Sequence, residues 1–377
     1  MIRALESMMR LAFFTEVYPP HVGGCETRFS RIARGLASRG NEVHVYTTQS
    51  PPDSPDYEAS DGVHVHRFHM PGTYIGASGS RPPMGVLKYS VASAIRSGRD
   101  GFDLCYLSQW PMLHTILSGP ICSAALVQEW CEVWDRTVIS LLGEVVASLC
   151  RHHAAVSRFT KRRVIEVLGI PPRDVLVIPN GVDFSAFSGQ PSRKVWGRVV
   201  YVGRLVPHKN VDMLIEAFSV ARALLGDGLE LHIVGCGPLA DRLRFVANRT
   251  PGCLFHGYLP DAEMRRVLES SWIFVSPSER EGSGITILEA MAAGTPVLVP
   301  DFRDNAAREL VDGCNGVVFK PPDSRALADA MVGLYRDEDG WRGMSKRCRV
   351  VARSFDWDRI VREAEIGLAG IVEDSRG

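Results

Sequence analysis

The feature that most constrains this chain is alternation. Short apolar runs at 11–15, 42–47, 63–68, 102–107, 124–130, 154–157 and 175–178 alternate with helix-like segments, and the pattern resumes at 199–203, 229–235, 253–257, 272–275, 297–300 and 316–319. Strands separated by helices pair in parallel, because a parallel neighbour is reached only through a crossover, and such a sheet needs helices on both faces. Thirteen strands are too many for one sheet of this kind. The expected fold is α/β, with two doubly wound, Rossmann-like parallel-sheet domains. A length of 377 residues agrees, since single cores stop growing near ~250–300 residues. Turn formers at Gly189, Gln190, Pro191 and Ser192 put the boundary within 184–198. The expected domains are 1–188 and 189–356, with a last segment, 357–377, whose helix returns to the first domain.

Lys plus Arg equals Asp plus Glu at 43 each, so the global charge gives no reason to expect a nucleic-acid partner. Nine cysteines are scattered without a Cys-x-x-Cys pair, which argues for buried thiols in a reducing, cytoplasmic compartment rather than a disulfide framework. Residues 1–17 carry Glu6 and Arg10 and build no long apolar core, so no secretory leader is expected. The most apolar later stretch, 138–150, is interrupted by Glu144 and is too short to span a bilayer.

Residues 278–296 carry the most chemical information. Glu281 and Glu289 flank Gly282-Ser283-Gly284, a turn that opens a helix through Ile285 and Thr286, and Gly294 and Pro296 end that helix before another strand. A strand, a glycine turn and a helix aim several backbone N–H groups at one place, which suits an anion such as phosphate. Carboxylates beside that place repel phosphate and suit hydroxyl-rich groups instead, a ribose or a hexose. Earlier in the same half, Gly203-Arg204 and Lys209 follow a strand and precede a helix, so two cations stand where a diphosphate would fit. Gly235-Cys236-Gly237-Pro238 imitates a dinucleotide fingerprint, but Pro238 removes a useful N–H, and a tight turn beside a nucleotide is the better reading.

In the first half, Gly23-Gly24-Cys25-Glu26 follows the first strand; it is either a plain strand-to-helix turn or a close backbone approach to a ligand. Asn180-Gly181-Val182-Asp183 closes that half, and its position at the boundary favours lining a cleft over catalysis.

Taken together, these motifs in this order resemble a retaining GT-B glycosyltransferase of family 4 (the glycosyl transferases group 1), over about residues 11–357. The resemblance implies two domains facing across a cleft, with a nucleotide-sugar donor held mostly by the second. Arg204 and Lys209 would meet the diphosphate, with backbone N–H groups of Gly284, Ile285 and Thr286. Glu289 would take the ribose hydroxyls and Glu281 the transferred sugar. The base would lie near Gly257 and Tyr258, and Gly23 and Gly24 would close over the phosphates. Glu281, Arg204 and Lys209 would carry catalysis. Neither metal nor cofactor is expected, because the cations and the helix N-terminus stabilise the leaving diphosphate.

The implied activity is transfer of a hexosyl group (EC 2.4) from a UDP- or GDP-sugar to a lipid-linked, polysaccharide or other glycan acceptor. Two departures stand out. Ser283 occupies a position where the family often has Phe, and Cys131 falls where it usually has a sugar-side His. A nucleotide-sugar 2-epimerase-like enzyme, a non-catalytic nucleotide-sugar-binding protein and an NAD-dependent oxidoreductase remain as alternatives. Lys161, Arg162 and Arg163 beside Phe159 read either as a solvated helix face or as a peripheral contact with the inner face of a membrane.

Overall fold

The computed structural model describes residues 8–21, 23–70, 74, 80–133, 138–187 and 194–376, with only the backbone of 138 and 139. Residues 188–193 of the expected linker lie outside them. The chain divides into two compact units, Met1–Asn180 with Trp357–Gly377, and Gly181–Asp356. This division falls before the 184–198 segment that the turn formers suggested. Its cause is packing: Val182 and Phe187 are buried in the second unit's core with Leu288 and Met291, and the Phe184 N–H donates to the Asp356 carboxylate at 3.2 Å.

In the first unit, β1 (Arg10–Phe14), α1 (Gly24–Ser38), β2 (Glu42–Thr48), β3 (Tyr57–Ser60), β4 (Val63–Phe68), α2 (Pro83–Arg99), β5 (Leu104–Leu107), α3 (Met112–Ser118), β6 (Ala125–Trp130), α4 (Val138–Leu149), β7 (His152–Ala155), α5 (Arg158–Leu168) and β8 (Val175–Val177) follow in order. They form an eight-stranded sheet, β3-β4-β2-β1-β5-β6-β7-β8, parallel except for β3. Leu11, Ala12, Phe13 and Phe14 are fully buried, as a strand covered on both faces requires. The second unit holds β9 (Arg198–Val202), α6 (Val211–Leu225), β10 (Glu230–Val234), α7 (Ala240–Ala247), β11 (Cys253–Gly257), α8 (Asp261–Ser270), β12 (Ile273–Val275), α9 (Ile285–Ala292), β13 (Val297–Pro300), β14 (Gly316–Phe319), α10 (Ser324–Arg336) and α11 (Glu338–Arg353). Its sheet, β11-β10-β9-β12-β13-β14, is wholly parallel. The last helix, α12 (Trp357–Arg376), rejoins the first unit. There Gly35 of α1 lies so near Val361 that a Cβ would press into its methyl groups, and Glu365 accepts from Asn41 Nδ2 at 2.7 Å and pairs with Arg39.

Each strand expected from the sequence is present, with ends shifted by a residue or two. The addition is β3, antiparallel on the sheet edge, which the sequence conceals among Pro51, Pro52, Asp53 and Pro55.

One charged contact organises the interior of the first unit. Arg28 of α1 and Glu129 of β6 are both buried, and the Arg28 Nε donates to Glu129 Oε2 at 2.7 Å. The Tyr106 hydroxyl donates to the same oxygen at 2.6 Å. Arg28 Nη1 reaches the Pro179 carbonyl at 3.0 Å and Asn180 Oδ1 at 3.1 Å, while Nη2 is buried without an acceptor. Burial opposes the Arg28 charge and the Glu129 carboxylate restores it, leaving the guanidinium more firmly protonated than usual.

Removing one member of a buried pair strands the other charge, at a cost of ~3–5 kcal/mol. Arg28→Met or Glu129→Leu alone should therefore lower the unfolding midpoint sharply in urea, and the double substitution should cost much less than the sum. Strictly additive losses would show that the two charges do not support each other. Acid should also weaken the fold. Burial pushes His114 and His153 down to about 4, from an ordinary value near 6.5. The unfolded chain then binds protons more readily, so stability is full above about pH 6.5 and declines as pH falls from there toward 4. Thermal melts from pH 7.5 to 5 should show falling midpoints, with a shallower fall in His153→Gln; a flat profile would contradict this.

Candidate functional site: the switch point of the second sheet

Strand order fixes where a site forms in the second unit. From β9 the chain runs outward to β10 and β11 on one side, then returns to β12, β13 and β14 on the other. The loops leaving β9 and β12 therefore diverge at their carboxyl ends, and such a switch point leaves a crevice open to ligands. Arg204, His208 and Lys209 lie on the β9 loop; Glu279, Arg280, Glu281 and Gly284 lie on the β12 loop. Both sequence motifs thus meet at one crevice.

Two contacts join the loops. The Lys209 ammonium donates to Glu281 Oε2 at 2.7 Å, with both side chains about four-fifths buried. The Glu279 N–H donates to the His208 carbonyl at 2.8 Å. Asn305, fully buried, braces the second loop: its Nδ2 donates to the Ser278 carbonyl at 2.6 Å, and the following Ala306 N–H donates to the Glu281 carbonyl at 2.7 Å. Burial, then Lys209 and Arg280, hold His208 down to about 4, so it is neutral at ordinary pH and the positive charge belongs to Arg204, Lys209 and Arg280. Tyr201 in β9 is buried and donates from its hydroxyl to the Arg204 carbonyl at 2.8 Å; burial and then Glu281 raise its pKa. The Arg204 side chain is exposed.

Gly284 caps α9 with φ +76, a conformation that L side chains rarely adopt, and a Cβ there would crowd Ile287 Cδ1 at 2.7 Å. The cap aims the first N–H groups of α9, which have no acceptor within the helix, out of its end at Ile285 and Thr286. Glu289 lies one turn further along and is half-buried, as is Ser283. Gly257 ends β11 with φ +72, and Tyr258 beyond it exposes its ring. Cβ atoms at Gly235 and Gly237 would collide with the Gly203 carbonyl and the Leu205 backbone. These glycines therefore serve contact between the β9 and β10 loops, which Leu205 N–H to Cys236 carbonyl (2.8 Å) completes, and not the approach of a dinucleotide.

Gly23, Gly24 and Cys131, the other residues singled out in the sequence, belong to the first unit. Gly23 is extended, with φ −179, a backbone any residue adopts, and the Glu26 carboxylate folds back over it. The backbone N–H groups of Cys131 and Glu132 both donate to Gln109 Oε1, at 2.8 and 3.0 Å, and the Cys131 thiol points to Glu129 Oε1 at 3.5 Å. Burial, then the Glu129 charge, push that thiol well up, so it is a neutral thiol and not a thiolate. His153 is a packing residue that accepts from Trp130 Nε1 at 3.1 Å.

Sequence reasoning missed Asn305, Tyr201, His208, Arg28 and Glu129. His208 stood inside a motif and could have been read; Asn305 carried no local pattern. Among the described residues no cluster of three or more His, Cys, Asp or Glu could hold a metal ion.

Known proteins match the chain across both units. Residues 22–186 match the family described as Glycosyltransferase Family 4, and residues 192–354 match Glycosyl transferases group 1. The chain is 30% identical to a phosphatidyl-myo-inositol mannosyltransferase of Mycolicibacterium smegmatis, over 89% of this chain and 87% of that protein. It is 28% identical to a GDP-mannose-dependent alpha-mannosyltransferase of the same organism, over 92% and 94% of the two chains. Among solved structures, sucrose-phosphate synthase from Thermosynechococcus elongatus superposes with a TM-score of 0.81 at 20% identity, covering 97% of this chain and all of that one. HepE from Anabaena, solved with UDP, gives 0.76 at 19% identity, covering 96% of this chain and 100% of that one. With two parallel-sheet, Rossmann-like units and matches running through both, the chain belongs to the family 4, group 1 glycosyltransferases of GT-B fold.

Proposed function

We propose that this glycosyltransferase moves a hexosyl group, with retention of anomeric configuration, from a nucleoside-diphosphate sugar to a lipid-linked or glycan acceptor. The observation that carries this reading is the Lys209–Glu281 pair at the switch point. It sets an ammonium, which suits phosphate, beside a carboxylate, which suits hydroxyls, near the outward N–H groups of α9 and the exposed Arg204. A nucleotide sugar presents those two chemistries next to each other. Relatives named for mannosyl transfer, one of them GDP-mannose-dependent, make GDP-mannose the first donor to test. The UDP bound to a structural neighbour makes a UDP-sugar the second.

The reaction follows from this placement. As the bond between the sugar C1 and the diphosphate oxygen lengthens, its electron pair leaves with the diphosphate. Arg204, Lys209 and the N–H groups of Ile285 and Thr286 stabilise that growing charge, a task that needs no metal. Glu281 holds sugar hydroxyls and Glu289 the ribose, with the base near Gly257 and Tyr258. Gly23 and Gly24 of the first unit cover the phosphates, and Cys131, as a neutral thiol, stands on the sugar side. The acceptor oxygen bonds C1 on the face the phosphate leaves, and its proton passes to a departing phosphate oxygen. No carboxylate is assigned a nucleophilic role, unlike the two-carboxylate scheme of glycosidases. The enzyme works on the cytoplasmic side, where nucleotide sugars and reduced thiols coexist.

Each charge-assisted phosphate contact contributes about 1.5–3 kcal/mol, or roughly ten- to a hundredfold in affinity. Thermal-shift titration with GDP, UDP, ADP and NAD should show one nucleoside diphosphate stabilising the protein. That shift should vanish in Arg204→Ala with Lys209→Ala; unchanged affinity, or a shift with NAD alone, would overturn the reading. Steady-state kinetics should separate the two carboxylates. Glu289→Ala should raise the donor KM at least tenfold, whereas Glu281→Ala should mainly lower kcat; the reverse pattern would exchange their roles.

A further inference from the structure

The surface of α2 has the opposite composition from a helix that meets water. Its buried positions are Gly85, Tyr89, Ser90, Ser93, Ala94 and Ser97. Its exposed positions include Met84 (65% exposed), Leu87, Val91 and Ile95. Steps of three and four residues put these four on one stripe of the helix. The inward serines are satisfied within the helix: the hydroxyls of Ser90 and Ser93 donate to the Val86 and Tyr89 carbonyls, both at 2.8 Å, and that of Ser97 to Ala94 at 2.9 Å. Tyr89 packs into the core with Met70 and Tyr74, whereas Met84, Leu87, Val91 and Ile95 face outward.

Charge on the same face has one sign. Lys88, Arg96 and Arg99 are exposed beside the stripe, and the 17-residue helix contains no Asp or Glu. Asp100, just past its end, lies 3.7 Å from Arg96 and also accepts from the Tyr46 hydroxyl. The apolar surface continues past α2. Ile121 is exposed and packs where Gly98 leaves room, and α3 packs against both α2 and α4, on which Leu141 (61% exposed), Leu142 and Val145 are exposed. Glu144 is the acid exposed on α4.

We propose that this face docks the protein on an anionic lipid surface. Leu87, Val91 and Ile95 enter the boundary between headgroups and acyl chains, with Met84 at one end and the α4 leucines to the side, while Lys88, Arg96 and Arg99 meet lipid phosphates. A helix with a long apolar stripe flanked only by cations has the form of an interfacial anchor. No helix among the described residues is long and apolar enough to cross a membrane, so the contact is peripheral. A second copy of the chain fits this face poorly, since it would bring cation against cation. The surface differs from the Lys161–Arg163 segment that the sequence singled out: Arg163 is buried, and Lys161 donates to the Val175 carbonyl at 2.6 Å.

The test is co-sedimentation with vesicles of phosphatidylcholine alone and of phosphatidylcholine with phosphatidylglycerol. The unaltered protein should sediment with the anionic vesicles and release in high salt. The combination Leu87→Ser, Val91→Ser and Ile95→Ser should lower partitioning at least tenfold, and Lys88→Gln, Arg96→Gln and Arg99→Gln should abolish the preference for phosphatidylglycerol. Both triple variants change exposed positions and should keep the nucleoside-diphosphate thermal shift of the unaltered protein, so failure to dock and failure of the transferase reading are told apart. Absence of vesicle binding by the unaltered protein, or equal binding by the serine variant, would overturn the proposal. So would a dimer in sedimentation velocity that the serine variant dissolves without any vesicle binding, which would give the face to a second copy.

Discussion

A parallel strand cannot turn straight back into its neighbour, and the rest of this structure depends on that constraint. Every crossover must leave the sheet at a carboxyl end and re-enter at the other end, so loops that follow strands gather at one end of each sheet. In the second unit, β9 and β12 are adjacent strands whose crossovers leave in opposite directions, and Lys209 and Glu281 lie 2.7 Å apart across that divergence although 72 residues separate them in sequence. The site is a product of topology first and of residue identity second. The close contact of Gly235 and Gly237 with the β9 loop then fixes that loop from its other side.

The first unit solves a related problem with charge. Arg28, Glu129 and Asn180 come from a helix, a strand and the segment that closes the unit, and one guanidinium touches all three. The Cys131 thiol rests on the remaining oxygen of Glu129, so the position where the family usually has a His is supported by the same pair. A neutral thiol is smaller than an imidazole and does not carry its charge at mildly acid pH.

Much of this was legible in the sequence because its signals were local and periodic. Apolar runs of strand length separated by helical stretches announced two parallel sheets, and the glycines at 282 and 284, with Glu281 and Glu289 around them, announced a turn and a helix start. What stayed hidden was long-range or locally masked. β3 lies among prolines that argue against any strand, and it pairs only because β4 supplies an antiparallel edge. Arg28 reads as one charged residue on an amphipathic helix; only the fold shows that its partner is 101 residues away. The unit boundary moved because Val182 and Phe187 pack by burial, which turn propensity does not report. The inverted face of α2 was missed for a related reason: periodicity locates an apolar stripe but does not say whether the stripe faces inward.

The Lys209–Glu281 contact has a consequence for the order of events. Each group satisfies the other, so a free sugar approaching Glu281 must compete with an ammonium ion and gains little by doing so. A phosphate that captures Lys209 removes that competitor and leaves a carboxylate, still largely sheltered from water, in need of new donors. Hydroxyl recognition on the proposed reading is thereby conditional on phosphate recognition, and the pair works as an interlock that admits the sugar only when it arrives attached to its leaving group.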